Sequence, residues 1–428
     1  MDKKYLFKNG KIIDPITKKN NVSDILVVNG KIEKISSKIS NQKNCVEINL
    51  KDKIISPGFM DMHVHLREPG FEHKETIATG TLSAAYGGFT SVCCMPNTNP
   101  AIDSETVVKF IEAESKKCNF GVVDVYSIAA VTKNRSGKGL SPIGELINAG
   151  AVGITDDGAP VQNAEVMRRA LEYAKMFDVP VIQHCEDVDL AKGGVMNEGK
   201  ISTLLGLPGI PRVAEEINIA RDIILTEYTN SKYHVAHIST EKSVALVREA
   251  KKNKIKVTSE VTPHHFYLTD ELLKSYNTNY KMNPPLREKK DVEAILEGLR
   301  DGTIDCIATD HAPHSFDEKE DDFISAPFGI VGLETAIGLS VTELILTKIL
   351  TIENLIEKFS VNPRKILNRK IKIDEGENAN FTFIDLNKKW KVNVSKFKSK
   401  SKNSPFDGLI LTGAPFGIFN NNHLFLNQ

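Results

Sequence analysis

Two kinds of hydrophobic pattern alternate along the middle of the chain. Eight short apolar runs of strand length are separated by longer segments in which apolar residues recur every three to four positions. Residues 164–177 (AEVMRRALEYAKMF) and 240–253 (TEKSVALVREAKKN) are typical of amphipathic helices. The eight runs cover residues 58–65, 90–96, 122–131, 151–157, 179–184, 233–239, 255–262 and 304–311.

This alternation predicts an α/β fold with a parallel sheet covered by helices. Eight strand–helix repeats over about 310 residues favour a (β/α)8 TIM-type barrel. The alternative is an open, doubly wound sheet, but no G-x-G-x-x-G sequence follows any of the runs.

The two ends of the chain have a different pattern, with short strand-like segments and tight turns. Asn9-Gly10 and Asn29-Gly30 each lie between apolar stretches, which is typical of two-residue hairpin turns. Similar strand-like segments return near the other end, in NANFTFIDL and GIFNNNHLFL. We therefore predict a composite β-sandwich domain from residues 1–56 and 372–428, and a barrel from residues 57–371.

Composition excludes several classes of protein. The 428 residues contain 55 basic and 55 acidic side chains, so we expect neither a nucleic-acid nor a membrane partner. No apolar run approaches the roughly 18 residues that a membrane span needs. The six cysteines include no C-x-x-C pair and indicate reduced thiols, and hence a cytoplasmic protein.

Histidines and aspartates lie at the ends of five of the eight runs. Side chains two apart on a strand share a face, so His63 and His65 point to one place. For the same reason only one of Asp156 and Asp157 can reach it. Barrel enzymes carry their chemistry at the carboxyl ends of the strands, where imidazole and carboxylate groups bind divalent metals. The sequence therefore predicts a metal site at the barrel mouth.

Three motifs identify a family resemblance. DMHVHLREPG at residues 61–70, MPNTNP at 95–100 and DHAPH at 310–314 resemble signatures of the dihydroorotases, members of the amidohydrolase superfamily. The resemblance covers nearly the whole chain and is greatest to the longer bacterial type, which carries a composite β-domain.

The resemblance implies a role for each of the strand-end residues. Asp310 would be the general base of the reaction. The Thr-Asp-Asp-Gly pattern favours Asp157 over Asp156 as the bridging ligand, and no lysine ends that run to take its place. Six side chains would bind two zinc ions: His63, His65 and Asp310 the first, His184 and His237 the second, and Asp157 both.

The implied substrates are dihydroorotate and N-carbamoyl-L-aspartate, which are interconverted in the third step of pyrimidine synthesis. An arginine can bind a substrate carboxylate through two parallel hydrogen bonds. The residues implied in substrate binding are Arg67, Asn97, Asn283, His314 and the backbone of Phe328 and Gly329.

Two other functions remain open at this point. One is a different cyclic amidohydrolase, such as a hydantoinase or allantoinase, and the other is a non-catalytic scaffold for aspartate transcarbamoylase. The resemblance also allows two protein partners, a second copy of the chain in a homodimer and aspartate transcarbamoylase itself.

Overall fold

Eight parallel strands form a nearly closed barrel at the centre of the computed structural model, which describes residues 3–427. Strand order around the barrel is β6-β7-β8-β9-β10-β13-β14-β15. The strands are β1 (Lys4–Asp14), β2 (Lys19–Val28), β3 (Lys31–Ser36), β4 (Cys45–Asn49), β5 (Ile54–Pro57), β6 (Phe59–Val64), β7 (Phe89–Cys94), β8 (Asp124–Ala129), β9 (Gly153–Ile154), β10 (Val181–Gln183), β11 (Met196–Asn197), β12 (Gly209–Ile210), β13 (Tyr233–Val235), β14 (Val257–Val261), β15 (Cys306–Ile307), β16 (Phe381–Lys391), β17 (Ile410–Asn420) and β18 (His423–Leu426).

The first and last barrel strands meet just beyond β15. Val64 of β6 pairs with His311 in a parallel bridge, and the His65 amide donates to the His311 carbonyl at 2.9 Å. The predicted (β/α)8 barrel is thus confirmed.

Helices follow most barrel strands and cover the outside of the barrel. The two helices expected from their periodicity are present as α4 and α8, and α4 buries Met167, Ala170, Leu171 and Ala174. The α-helices are α1 (Ile77–Gly87), α2 (Glu105–Lys117), α3 (Ile143–Asn148), α4 (Ala164–Met176), α5 (Val188–Ala191), α6 (Lys200–Leu205), α7 (Val213–Thr229), α8 (Glu241–Lys252), α9 (Pro263–Tyr267), α10 (Lys289–Asp301), α11 (Phe316–Lys319), α12 (Ala336–Ser340), α13 (Ile352–Ile356) and α14 (Asn362–Ile366). Within residues 3–427 no helix is long and apolar enough to cross a membrane.

A second sheet joins strands from both ends of the chain. Its order is β18-β17-β16-β5-β1-β2-β3, and β4 also pairs with β1. The link between the two ends is the antiparallel pair of β5 and β16, in which Ile55 lies opposite Phe383. On this basis we propose the domain boundaries stated above, with one addition. Phe397 and Phe406 pack with barrel-side residues such as Phe323, so part of the C-terminal segment reaches the barrel.

One of the two predicted hairpin turns is wrong. Asn29-Gly30 does connect β2 to β3, with φ values of 50° and 80°. Asn9-Gly10 instead lies inside β1, where the register with β2 shifts between Phe7 and Gly10. Asn9 has a φ of 61°, so the same local preference for positive φ is used for a bulge rather than a turn.

Aromatic packing across the two chain ends yields the first testable prediction. Phe7 is fully buried, and its ring centroid lies 5.8, 5.2 and 5.3 Å from those of Phe381, Phe383 and Phe419. We expect Phe7→Ala to destabilise this sheet by about 3–5 kcal/mol, because it leaves a cavity between the two chain ends. Urea unfolding measures the loss. Val22→Ala, at an exposed position of β2, is the control, and an equal effect of the two variants would contradict the prediction.

Candidate active site

Six side chains from the carboxyl ends of the barrel strands meet at the barrel mouth. Two come from β6 and the residue that follows it, and one each follows β9, β10, β13 and β15. All six are buried. They are the predicted metal ligands His63, His65, Asp157, His184, His237 and Asp310.

Asp157 lies at the centre of this cluster. Its Oδ1 is 3.3 Å from His63 Nε2 and 3.7 Å from His237 Nε2, and its Oδ2 is 3.6 Å from His65 Nε2. Asp310 Oδ1 lies 3.0 Å from His65 Nε2 and 3.6 Å from His63 Nε2. The neighbouring Asp156 faces away from the cluster, where it accepts hydrogen bonds from the amide and hydroxyl of Thr132.

The donor set fits a metal. Two triads place their ligand atoms within 4.8 Å of one another, and Asp157 belongs to both. His63 Nε2, Asp157 Oδ1 and His237 Nδ1 are buried and have no hydrogen-bond partner within residues 3–427. Such groups are costly unless something else satisfies them. Imidazole nitrogens and carboxylate oxygens are the ligands of zinc and similar ions. The triads are His63, His65 and Asp157, and Asp157, His184 and His237.

The electrostatics of the cluster favour positive charge. Burial opposes a charge on His63, but Asp157, Glu260 and Asp310 raise its pKa well above the ordinary value. Burial likewise opposes charge on Asp157, yet the surrounding histidines hold its pKa well below the usual range. The carboxylates are therefore ionised, and a bound cation could balance them without a proton on His63.

Backbone geometry at the barrel mouth is unusual at three site residues. Arg67, His237 and Asp310 have φ values of 62°, 31° and 47°, in the left-handed region that non-glycine residues rarely adopt. Such conformations cost of order 1–3 kcal/mol each and persist where the surrounding structure holds them. Two of the three residues are predicted metal ligands and the third is Arg67, and backbone strain of this kind is typical of functional sites.

Glu260 is a site residue that the sequence analysis missed. It lies on β14, fully buried, and its Oε1 accepts from His63 Nδ1 at 2.8 Å, while Oε2 lies 3.3 Å from His234 Nε2. Burial raises its pKa, but the two histidines outweigh that and bring it to about 2. A carboxylate behind a histidine orients the ring and directs Nε2 towards a metal. The available signal was an acidic residue inside the apolar run VTSEV.

Asp61 is a second missed residue, and it acts at the seam of the barrel. Its carboxylate accepts from the Thr309 amide at 3.1 and 3.2 Å and from the His63 amide at 3.0 Å. Burial raises its pKa to about 6, although these bonds favour the ionised form. Asp61 thus ties β6 to the segment that carries Asp310. The signal was the first residue of the 61–70 motif.

Two of the predicted substrate residues lie side by side. The Arg67 guanidinium is 9% exposed, and it donates through Nε to the Pro313 carbonyl at 3.2 Å. Its NH2 lies 3.4 Å from His314 Nε2. Burial lowers the pKa of Arg67, and the carboxylates of Asp310 and Asp157 act in the opposite direction. No carboxylate within residues 3–427 forms an ion pair with it, so a buried cation remains unpaired beside the ligand cluster.

Asn97 and Asn283 contact the histidines of the cluster. Asn97 Oδ1 accepts from His65 Nδ1 at 2.8 Å. Asn283 Nδ2 donates to Glu186 at 3.0 Å and lies 3.3 Å from His184 Nε2, and its Oδ1 is buried without a partner among the described residues. Each of these predicted substrate residues therefore also contacts a predicted metal ligand.

The backbone of Phe328 and Gly329 lies against His314. The Phe328 carbonyl is 2.8 Å from His314 Nε2. Gly329 has a φ of +124°, and a Cβ there would lie 2.7 Å from Ala312 Cβ, so only glycine fits. Asn403, from the C-terminal segment, donates to the Gly329 carbonyl at 3.1 Å and accepts from the His314 amide. No pattern in the sequence indicates a role for Asn403.

Comparisons with known proteins agree with this geometry. A model of dihydro-orotase-like proteins matches residues 52–243. A dihydroorotase from Acetivibrio thermocellus is 53% identical over 424 residues, which is 99% of both chains. The chain belongs to the dihydroorotase family. Another dihydroorotase, from Ruminiclostridium cellulolyticum, is 51% identical over 413 residues and 96% of both chains. Membership of the dihydroorotase family and the His/Asp cluster together indicate a metal cofactor.

Solved structures show the same fold in a wider group. An L-hydantoinase from Arthrobacter aurescens has a TM-score of 0.88 at 24% identity and covers 99% of this chain and 96% of its own. A D-hydantoinase from a Bacillus species, AR9, has a TM-score of 0.83 at 20% identity, with 98% and 95% covered. At these sequence identities, the similarity shows that the chains share a fold.

The contact of Glu260 with His63 predicts a role in metal binding. We expect Glu260→Gln to weaken metal affinity about 10–100-fold, because a neutral amide no longer polarises the His63 ring. Chelator competition, with the metal content measured by atomic spectroscopy, checks this. Glu334→Gln, a buried carboxylate bonded to Ser83 and to the Lys398 and Ser399 amides, is the control. Equal affinities for Glu260→Gln and the wild type would contradict the assignment.

Proposed function

We propose that the chain is a dihydroorotase that hydrolyses the cyclic amide of dihydroorotate reversibly to N-carbamoyl-L-aspartate. The observation that carries this proposal is the Arg67 guanidinium, which is buried next to the metal-binding cluster with no carboxylate partner among residues 3–427. Dihydroorotate carries a ring carboxylate that can pair with it, whereas hydantoin and allantoin carry none. The dihydroorotases at about half identity over nearly the whole chain support the same activity.

Substrate binding follows from the groups around Arg67. The guanidinium forms two hydrogen bonds with the substrate carboxylate, because its donors match the spacing of carboxylate oxygens. His314 lies on the other side of the substrate, and its ring is held by the hydrogen bond that Nε2 donates to the Phe328 carbonyl at 2.8 Å. Asn97 and Asn283 keep their remaining amide atoms for the ring, and the Gly329 backbone covers it.

The six strand-end side chains bind two zinc ions in this proposal. His63, His65 and Asp310 would hold the first, His184 and His237 the second, and Asp157 would contribute to both, as its place in both triads supports. When bound, such metals supply an activated water as nucleophile and positive charge beside the carbonyl oxygen.

Asp310 moves the proton. His63, His65 and His237 lower the pKa of its buried carboxyl group in spite of the opposing effect of burial, so the group is ionised at neutral pH and able to accept a proton. It takes the proton of the attacking water and gives it to the leaving ring nitrogen. In the reverse direction the same carboxylate receives the proton from the nitrogen that closes the ring.

Two alternative functions and two protein partners are considered beside this proposal. A hydantoinase-type activity shares the barrel, but its substrates carry no carboxylate for Arg67 to bind. A scaffold for aspartate transcarbamoylase would not need the six metal ligands. We also propose that the chain forms a homodimer and associates with aspartate transcarbamoylase. Measuring the particle size in solution, with and without that enzyme, tests both.

Substrate and metal are tested together. We expect the metal-loaded chain to hydrolyse dihydroorotate at least 100-fold faster than hydantoin or allantoin. A chelator should remove most of the activity, and zinc should restore it. Turnover is followed by ring absorbance alongside metal content. Preferential hydrolysis of hydantoin would favour the hydantoinase alternative, and absence of both stoichiometric metal and turnover would favour the scaffold.

The role of Asp310 has its own test. We expect Asp310→Asn to lower kcat by about 10²–10⁴-fold, because an amide cannot accept the proton. Metal content is measured in the same samples, so that a loss of metal is separated from a loss of the base. Asp156→Asn, the adjacent buried carboxylate that bonds Thr132, is the matched control and should retain activity within tenfold. Near-full turnover by metal-loaded Asp310→Asn would exclude it as the base.

A further inference from the structure

Lys319 is a buried lysine at the end of α11, in the loop that follows His314. It is 6% exposed, although the residues around it in the chain, such as Phe316 and Glu320, face solvent. No carboxylate within residues 3–427 pairs with its ammonium group. Its role is therefore inferred from the groups to which its ammonium group donates.

Three backbone carbonyls surround the Lys319 ammonium. Nζ donates to the carbonyl of Pro327 at 2.9 Å, of Gly329 at 3.2 Å and of Lys281 at 3.4 Å. These three acceptors match the three N–H donors of an ammonium group. Thr278 anchors the same residue from outside, since its hydroxyl donates to the Lys319 carbonyl.

The carbonyls belong to two segments that line the substrate site. Pro327 and Gly329 flank Phe328, whose carbonyl bonds His314. Lys281 lies two residues before Asn283, and its carbonyl also accepts from the Gly329 amide at 2.9 Å. Lys319 therefore joins the segment that carries Asn283 to the segment that covers the substrate.

We propose that Lys319 is a positioning residue that holds the Phe328–Gly329 backbone and the Asn283 segment in the geometry that binds substrate. It touches neither the substrate nor the metal ligands. This inference rests on the proposed function, because it assigns the 328–329 backbone to dihydroorotate. The residue acts by holding carbonyls at one point, which orients the neighbouring peptide groups and His314 towards Arg67.

A second lysine supports the same loop from the other side. Lys281 Nζ donates to the Ile324 carbonyl at 2.8 Å and lies 4.6 Å from the centre of the Phe328 ring.

Burial, together with Lys281, lowers the pKa of Lys319 to about 7. Charge at this position is therefore opposed by its surroundings. An apolar side chain would avoid that cost, but it could not join the three carbonyls.

Loss of Lys319 should affect substrate binding rather than the chemical step. Lys319 lies on the substrate side of the site, whereas His63 and the segment that carries Asp310 are held by Glu260 and Asp61. Loss of the lysine should loosen the 328–329 backbone and leave the proton-transfer groups in place. KM should then rise while kcat changes little.

Lys319→Met tests this with a side chain of similar length and no donors. We expect KM for dihydroorotate to rise about tenfold or more, with kcat within threefold of wild type. We also expect faster amide hydrogen exchange in a peptide that covers residues 323–331. Lys319→Arg keeps the charge and donors, and should bring KM to within threefold of wild type. If Lys319→Met does not fold, Lys319→Gln replaces it in the comparison with Lys319→Arg.

Lys358→Met is the matched control. Lys358 is also a buried lysine that donates to a backbone carbonyl, that of Ile304, but it lies away from the barrel mouth. We expect this variant to lose stability without a change in KM. An equal rise in KM in both Met variants, or unchanged KM and exchange in Lys319→Met, would overturn the proposal.

The exchange measurement keeps the inference separate from the proposed function. If the metal-loaded wild type fails to hydrolyse dihydroorotate, the proposed function falls. The exchange of residues 323–331 still decides whether Lys319 holds this backbone. Unchanged exchange in Lys319→Met would then reject the positioning role without reference to any substrate.

Discussion

The site depends on a concentration of buried ligand atoms that the protein itself leaves unsatisfied. Four imidazoles and two carboxylates meet in buried positions, and several of their atoms have no partner among the described residues. Such an arrangement is unfavourable unless a cation occupies it. The barrel makes it available because eight strands end at one mouth. Arg67, His237 and Asp310 accept left-handed backbone conformations at these ends.

The groups around this cluster each hold something else in place. Glu260 orients His63, Asn97 orients His65, and Asn283 contacts His184. The two asparagines are also proposed to bind substrate, so binding and ligand orientation share the same side chains. A change at either asparagine should therefore alter metal affinity as well as substrate affinity.

Periodicity and strand-end chemistry were sufficient to predict the barrel and to select the residues that meet at its mouth. The alternation of faces showed that only one of Asp156 and Asp157 could reach the site, and the family resemblance favoured Asp157. It could not reveal Asn403, because that residue lies over 70 positions from its partners Gly329 and His314. It also misread Asn9-Gly10, since a preference for positive φ serves a bulge and a turn equally well. Glu260 stood out only as an acidic residue within a strand, and the sequence pattern did not show that it contacts His63.

The pairing of the two chain ends has a consequence for how the protein is made. The strands β1 to β5 are synthesised before β16 and β17, which carry Phe383 and Phe419, aromatic partners of Phe7, and the strand partner of Ile55. At about 5–20 residues per second, some 370 further residues take roughly 20–80 s to emerge from the ribosome. During that time an apolar face of the first strands stays uncovered. The composite sheet is therefore completed only when β16 to β18 have been synthesised.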